Sequence, residues 1–268
     1  MSPFERTPAP DLSRYVRRYN GFSEKADAPV HRREGPGVDV ILLFSFGHEW
    51  RIGSATDPSR PAARVTSFVA GLHEECVTTE HDGETHGLQI SLTPPGGYAL
   101  LGVPMDELAG RTVDAAAILG TRDSLADQLA ELSDWPRRFA LLDRVLRRRL
   151  GRARSPSSEV GWAWDQLTRG HGRVPVGDLA KELGWSRRRI ASRFWEEIGL
   201  PPKRAARLLR FERARALLDG HGRSSSLANV ALESGFYDQS HLTSEFRRIT
   251  GVTPATYLRE REQISKTG

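Results

Sequence analysis

Gly184-Trp185-Ser186-Arg187-Arg188-Arg189-Ile190-Ala191-Ser192-Arg193-Phe194-Trp195-Glu196-Glu197-Ile198-Gly199 has a counterpart in Gly235-Phe236-Tyr237-Asp238-Gln239-Ser240-His241-Leu242-Thr243-Ser244-Glu245-Phe246-Arg247-Arg248-Ile249-Thr250-Gly251. Phe194 and Phe246, Gly199 and Gly251, and Pro202 and Pro254 are each 52 residues apart, whereas Gly184 and Gly235 are 51 apart, so the second turn carries one extra residue. Each copy reads as helix, glycine turn, helix. Ser186 and Asp238 stand at N-cap positions, where their side-chain oxygens can accept from a first-turn amide. Ile190, Phe194 and Ile198 recur at helical spacing and predict a core face, as do Leu242, Phe246 and Ile249.

Working outward, 202–219 between the copies reads as one long helix, about 27 Å at the helical rise. A rigid spacer of that length brings two helices close to one DNA turn apart, roughly 34 Å. The faces opposite the two cores carry Arg188, Ser192 and Trp195, flanked by Arg187 and Ala191, and then Ser240, Ser244 and Arg247, flanked by Gln239 and Thr243. These are side chains that read base edges: Arg for guanine, Gln for adenine, Ser and Thr for either. Arg193, Arg247 and Arg248 are expected at phosphates, which position a protein without specifying sequence, and His241 is a further phosphate candidate. The remaining C-terminal sequence is also helical in period, at 159–169, 177–183, 227–234 and 254–261.

Charge is divided along the chain. Residues 1–151 hold 18 Lys and Arg against 21 Asp and Glu, a net of −3, whereas 152–268 hold 21 against 13, a net of +8. A polyanion partner is therefore expected for the C-terminal part alone. Apolar and charged content are those of a globular domain. No apolar run reaches the roughly 20 residues of a spanning helix. The start, Met1-Ser2-Pro3-Phe4-Glu5-Arg6, lacks signal-peptide pattern, and a lone Cys76 fits a reducing compartment, so the expected location is cytoplasmic, away from membranes.

The first 120 residues alternate short apolar runs with Gly and Pro. Val38 to Phe46 reads as a strand buried on both faces, with further strands at 50–52, 65–70 and 87–92, and His81-Asp82-Gly83-Glu84 as a hairpin tip. Leu125, Leu129 and Leu132 share one helix face. Phe139, Leu142, Leu146 and Leu150 share another, in a helix starting near Asp134-Trp135-Pro136 and ending on Arg147-Arg148-Arg149, where cations favour the dipole. These two helices either close the N-terminal domain or pair two subunits. The expected class is α+β: a mostly-β sandwich or barrel-like domain followed by helices (1–150), a linker (151–158), and an all-α domain with two helix-turn-helix units joined by a long helix (159–268). A pocket, if one exists, is expected among strands 38–92.

Residues 159–262 resemble the AraC/XylS family of bacterial transcription regulators. The resemblance rests on Leu179-Ala180 with Gly184, Ser186 with Phe194, Gly199 with Pro202, Val230-Ala231, Gly235-Phe236, Gln239-Ser240, Phe246-Arg247-Arg248, Gly251-Val252-Thr253-Pro254 and Tyr257. Many members carry arginine where this chain has Ser192, so base readout there differs, and the same holds at Ser244. The resemblance implies an effector-responsive regulator, often an activator, that binds promoter DNA, works beside RNA polymerase and forms homodimers in some members. Pro94-Pro95-Gly96-Gly97-Tyr98-Ala99-Leu100-Leu101-Gly102-Val103-Pro104 with Glu107-Leu108-Ala109-Gly110 is similar to a sensor domain of actinobacterial members.

Other chemistries find little in the chain. Gly96-Gly97 is not followed by Gly-Lys-Ser/Thr, so no phosphate loop is expected. No Gly-x-Ser-x-Gly elbow is present. His31, His48, His73, His81 and His86 show no metal-ligand spacing, and neither metal nor cofactor is expected. A DNA-repair or other enzyme fused to the same reading module, with Cys76 as alkyl acceptor, is the alternative to a non-enzymatic regulator.

Overall fold

The computed structural model describes residues 4–57, 59–120, 125–151, 155–221 and 226–267. Among the described residues there are ten strands: β1 (Phe4–Arg6), β2 (Val16–Lys25), β3 (Val30–Glu34), β4 (Val40–Ser45), β5 (Trp50–Ser54), β6 (Ala63–Val65), β7 (Phe68–Ala70), β8 (Val77–His81), β9 (Glu84–Leu92) and β10 (Thr112–Asp114). They form two antiparallel sheets, ordered β1-β2-β9-β4-β7-β10 and β3-β8-β5-β6. β4 is buried on both faces as its unbroken apolar run predicts. Val40, Leu42 and Phe44 join a core beneath helices, while Leu43, with Ile41 beside it, faces the smaller sheet and meets Trp50, Ile52 and Phe68.

Several sequence expectations change here. His81-Asp82-Gly83-Glu84 is a tight turn but not a hairpin tip: β8 belongs to one sheet and β9 to the other, so the chain crosses between layers. The stretch 65–70 breaks at Thr66-Ser67, placing β6 and β7 in different sheets. β2 and β3 were not expected from the sequence. β2 carries Arg17, Arg18, Glu24 and Lys25, and its register shifts between Val16 and Arg18, which breaks the two-residue alternation.

Helix α1 (Pro94–Leu101) lies between β9 and β10, and α2 (Ala115–Leu119), α3 (Leu125–Glu131) and α4 (Trp135–Leu150) follow β10. α3 stops one residue short of Leu132. Of the two roles expected for these helices, α4 takes closure. It covers the six-stranded sheet, with Phe139 stacked on Tyr19 at 5.8 Å and Trp135 on Phe4 at 4.6 Å. Beneath it the buried Asp143 accepts from Tyr19 Oη at 2.8 Å and from Arg6 at 3.0 Å. The arginines ending α4 do more than face a dipole: Arg149 donates to the Leu100 carbonyl at 2.7 Å, satisfying the open end of α1, and Arg147 grips Asp11 with two hydrogen bonds. Gly96 lies where α1 crosses the chain at Tyr15; a Cβ there would stand 2.1 Å from the Tyr15 carbonyl. The Gly-Gly pair thus serves packing.

The C-terminal helices are α5 (Ser158–Arg169), α6 (Val176–Glu182), α7 (Arg187–Ile198), α8 (Pro202–His221), α9 (Leu227–Ser234), α10 (Gln239–Thr250) and α11 (Pro254–Thr267). At 20 residues α8 spans about 30 Å. Of the expected linker, 152–154 lie outside the described residues. Ser157 is firmly held, capping α5 through Val160 and donating from its backbone to buried Glu197 at 2.8 Å. One continuous core runs from Leu12 through Met105 and Phe194 to Phe246. No helix among the described residues is long and apolar enough to cross a membrane.

Candidate nucleic-acid interface

Each helix-turn-helix is fixed by the same local devices. Gly184 and Gly235 adopt φ of +63° and +82°, the left-handed backbone that lets the turn close. Ser186 then caps α7 by accepting from Arg189 N at 3.2 Å, and Asp238 caps α10 by accepting from His241 N at 2.7 Å. Ile190, Phe194, Ile198, Leu242, Phe246 and Ile249 are all within 1% of full burial. Phe246 packs against Phe211 of α8 at 5.2 Å and Tyr257 of α11 at 5.4 Å, and the Tyr257 hydroxyl donates to Asp219 at 2.9 Å. The core thus fixes which face of each helix turns outward.

Outward on α7 are Arg187, Arg188 and Ser192, exposed, with Ala191 half-buried. Outward on α10 are Gln239, Ser240, His241, Ser244, Arg247 and Arg248, exposed, with Thr243 half-buried. Arg193 differs from its expected role. It is half-buried and pairs with Glu196 at 2.7 Å and with Glu197 at 2.5 Å, on the side of α7 that faces Ser157, so phosphate contact would require breaking both pairs. Arg248 is exposed yet leans on Glu245 at 3.2 Å. The His241 ring is drawn toward the turn: it stands edge-on to Phe236 at 5.3 Å, with Nδ1 3.4 Å from the Tyr237 amide. Trp185 packs under the Arg189 guanidinium at 4.5 Å, Trp164 is buried, and Trp195 stays at the rim of the α7 face, 36% exposed. Tyr237, 86% exposed at the start of α10, is a surface residue that the base-edge criterion passed over.

The two outward-facing helices, α7 and α10, are held differently. α7 rests on the stretch 94–107: the Tyr98 hydroxyl reaches Glu196 at 3.5 Å, and at Gly199 (φ +87°) a Cβ would lie 2.9 Å from the Met105 carbonyl. α10 is held at its C-terminal end, where Cys76 N donates to the Ile249 carbonyl at 3.1 Å and Arg33 to that of Thr250. Glu74 pairs with Arg204 and, at 2.6 Å, with Arg207 of α8. Nothing in the sequence pattern marks Arg33 or Glu74 for this. The Cys76 thiol is buried, and that burial pushes its pKa up, which suppresses the nucleophilic thiolate an alkyl acceptor needs.

Between the two sheets lies a cavity of about 750 Å³, walled by Phe22, Ile41, Leu43, Trp50, Ile52 and Phe68. It extends past the strands expected to hold a pocket, to Asn20 of β2, Arg32 of β3, and Glu212 and Arg215 of α8. Trp50 Nε1, Asn20 Oδ1 and Arg215 Nε are buried at its wall without a hydrogen-bond partner among the described residues. Burial raises the pKa of the Glu212 carboxyl, while the neighbouring Arg215 opposes that shift.

Known proteins agree with this geometry. Residues 179–260 match a family described as a helix-turn-helix domain, and residues 4–114 match a domain of unknown function (DUF6597). Uncharacterized helix-turn-helix-type transcriptional regulators of Staphylococcus aureus, strains MSSA476 and N315, are 25% identical over 96 residues, which is 36% of this chain and 13% of theirs. The chain therefore spans only a small part of the curated relatives it matches. A structure of ToxT from Vibrio cholerae is similar over 90% of this chain and 97% of its own, with a TM-score of 0.52 and 10% identity. Another, of ToxT bound to (E)-4-(8-methylnaphthalen-1-yl)but-3-enoic acid, has a TM-score of 0.50 at 10% identity, over 90% of this chain and 98% of its own. The DNA-binding domain of AdpA, solved in complex with a target DNA, is 30% identical over 41% of this chain and 95% of that domain, with a TM-score of 0.35. Residues 179–260 thus form a helix-turn-helix domain with two capped, outward-facing helices at 187–198 and 239–250, behind a two-sheet domain.

Proposed function

We propose that the chain controls transcription by placing α7 and α10 in two successive major-groove segments of promoter DNA, beside RNA polymerase, under control of a small effector bound between its two sheets. The carrying observation is that both helices turn an exposed polar face outward over a core of the same residue types, joined by a spacer of about 30 Å. Arg187, Arg188, Gln239, Ser240 and Thr243 are the base contacts, with Ala191, Ser192 and Ser244 bordering them. Arg247 and Arg248 serve phosphates. Residues 1–150 form the sensing part, and 159–268 the reading part.

The cavity supports the effector half of the reading. Its walls are aromatic and aliphatic, while its unpartnered Trp50 Nε1 and Arg215 Nε are donors, and Asn20 Oδ1 is an acceptor. That combination suits an amphipathic molecule with an apolar body and an acceptor-bearing end. Glu212 and Arg215 belong to α8, so an occupant touches the helix that spaces the two readers.

The test is a salt-titrated binding assay of the full chain on the promoter beside its own gene and on a scrambled control. Preference for the promoter is the expected result. Arg188→Ala should cost about 1–3 kcal/mol and relax sequence preference, whereas Arg247→Ala should weaken all sequences alike and lower the salt slope by about 1. If Arg188→Ala leaves both affinity and preference untouched, the assignment of the α7 face is wrong.

A further inference from the structure

β3 and β8 lie side by side, with Glu34 opposite Val77. Successive side chains of a strand point to opposite faces. Arg32 and Glu34 on β3, and Val77 and Thr79 on β8, line the cavity. Arg33, one step out of phase on β3, and the segment 74–76 just before β8 meet the reading module instead. Arg33 donates to the Thr250 carbonyl, Cys76 N to that of Ile249, and Glu74 holds Arg204 and Arg207. Arg207 reaches on to Glu245 of α10 at 3.7 Å.

The last carbonyls of a helix have no partner within it. Two of those of α10 are satisfied here by a distant part of the chain, the very strand pair that walls the cavity. α7 is anchored elsewhere, on the stretch 94–107, no residue of which lines that cavity. One reading helix is therefore tied to the cavity wall and the other to a platform away from it.

We propose that β3 and β8, with the segment 74–76 that leads into β8, form a relay. An occupant pressing on its inner face changes how its outer face caps α10, and so shifts the second reading helix relative to the first. The inference rests on the reading of the cavity as an effector site, and it supplies the differential contact that any effector needs to shift an equilibrium.

The experiment uses the full chain and reads amide hydrogen exchange in the last turns of α7 and α10. Arg33→Ala combined with Glu74→Gln should speed exchange in the last turn of α10 by about tenfold, as expected when a capping hydrogen bond and an ion pair are lost. Val77→Phe, which adds bulk to the inner face, should change the same amides severalfold, leave α7 unmoved, and have no such effect once Arg33→Ala and Glu74→Gln are present. Anilinonaphthalene sulfonate, a fluorescent amphipathic anion, serves as a second occupant and covers the case in which Val77→Phe does not fold. The relay is overturned if either occupant leaves α10 unchanged, moves α7 and α10 alike, or acts equally without Arg33 and Glu74. A probe that binds, is displaced by Val77→Phe and leaves α10 unmoved removes the relay while the effector reading stands. No probe binding, with the Val77→Phe pattern intact, removes the effector reading and with it the relay's trigger, leaving only a mechanical coupling of the strand pair to α10.

Discussion

Asp143 shows how much a single buried charge organises. It is 4% exposed and receives Tyr19 and Arg6 from two different strands. Burial and the adjacent carboxylate push the Tyr19 hydroxyl pKa upward, so the phenol stays protonated and donating. Asp143→Ala strands both donors and should cost about 3 kcal/mol in denaturant unfolding, whereas Asp143→Asn, which keeps an acceptor, should cost less. His73 gives a pH signature. Its Nδ1 lies 2.7 Å from the Gly71 carbonyl, and burial lowers its pKa despite that contact. The folded chain therefore binds the proton less readily than the unfolded chain. Stability from this residue is complete above the unfolded value of about 6.5 and falls as pH drops toward the lower folded value. Denaturant midpoints at pH 7.5 and 5.5 should differ less in His73→Gln than in the native chain; equal differences would remove His73 as a contributor.

At the level of the element, the two reading helices end on glycines that do different jobs. Gly199 and Gly251 both have positive φ, +87° and +77°, which costs a side-chain-bearing residue about 1–2 kcal/mol. A Cβ on Gly199 also meets the Met105 backbone, whereas one on Gly251 meets the end of the Arg33 side chain, which can move aside. Gly199→Ala should therefore lower the melting temperature of the full chain more than Gly251→Ala, and the reverse order would mean that α7 is not seated on Met105. The C-terminal helices were legible because their signals are local: a cap, a 3.6-residue period and a glycine stop. β4 was legible for the same reason. β2 and β3 were not, since their charged residues line a cavity, pair across strands or cap α10 (Arg32, Glu24 and Arg33) and mimic solvent-facing loops. The outward faces of α7 and α10 could be read from the core period, and the i,i+4 spacing of Arg193 and Glu197 was open to the same reading, but the burial of Glu197 that fixes the pair was not, because its tie to Ser157 spans 40 residues of sequence.

For the whole molecule, the proposed function has the basic half read DNA, while the slightly acidic half holds α7 and α10 in place. The charge division was visible in the sequence; the holding was not, because the Glu74 and Arg33 contacts depend on how two separately folded patterns meet. The account predicts one functional geometry, two readers on one DNA face with their spacing set by α8 and tuned through the wall of the cavity. Base-methylation interference with the full chain on its promoter tests this most directly. The account predicts two clusters of interfering guanines and adenines in the major groove, about 10 base pairs apart on one face, with Arg188→Ala erasing effects in one cluster only. A single cluster, or interference spread evenly along the probe, would contradict it.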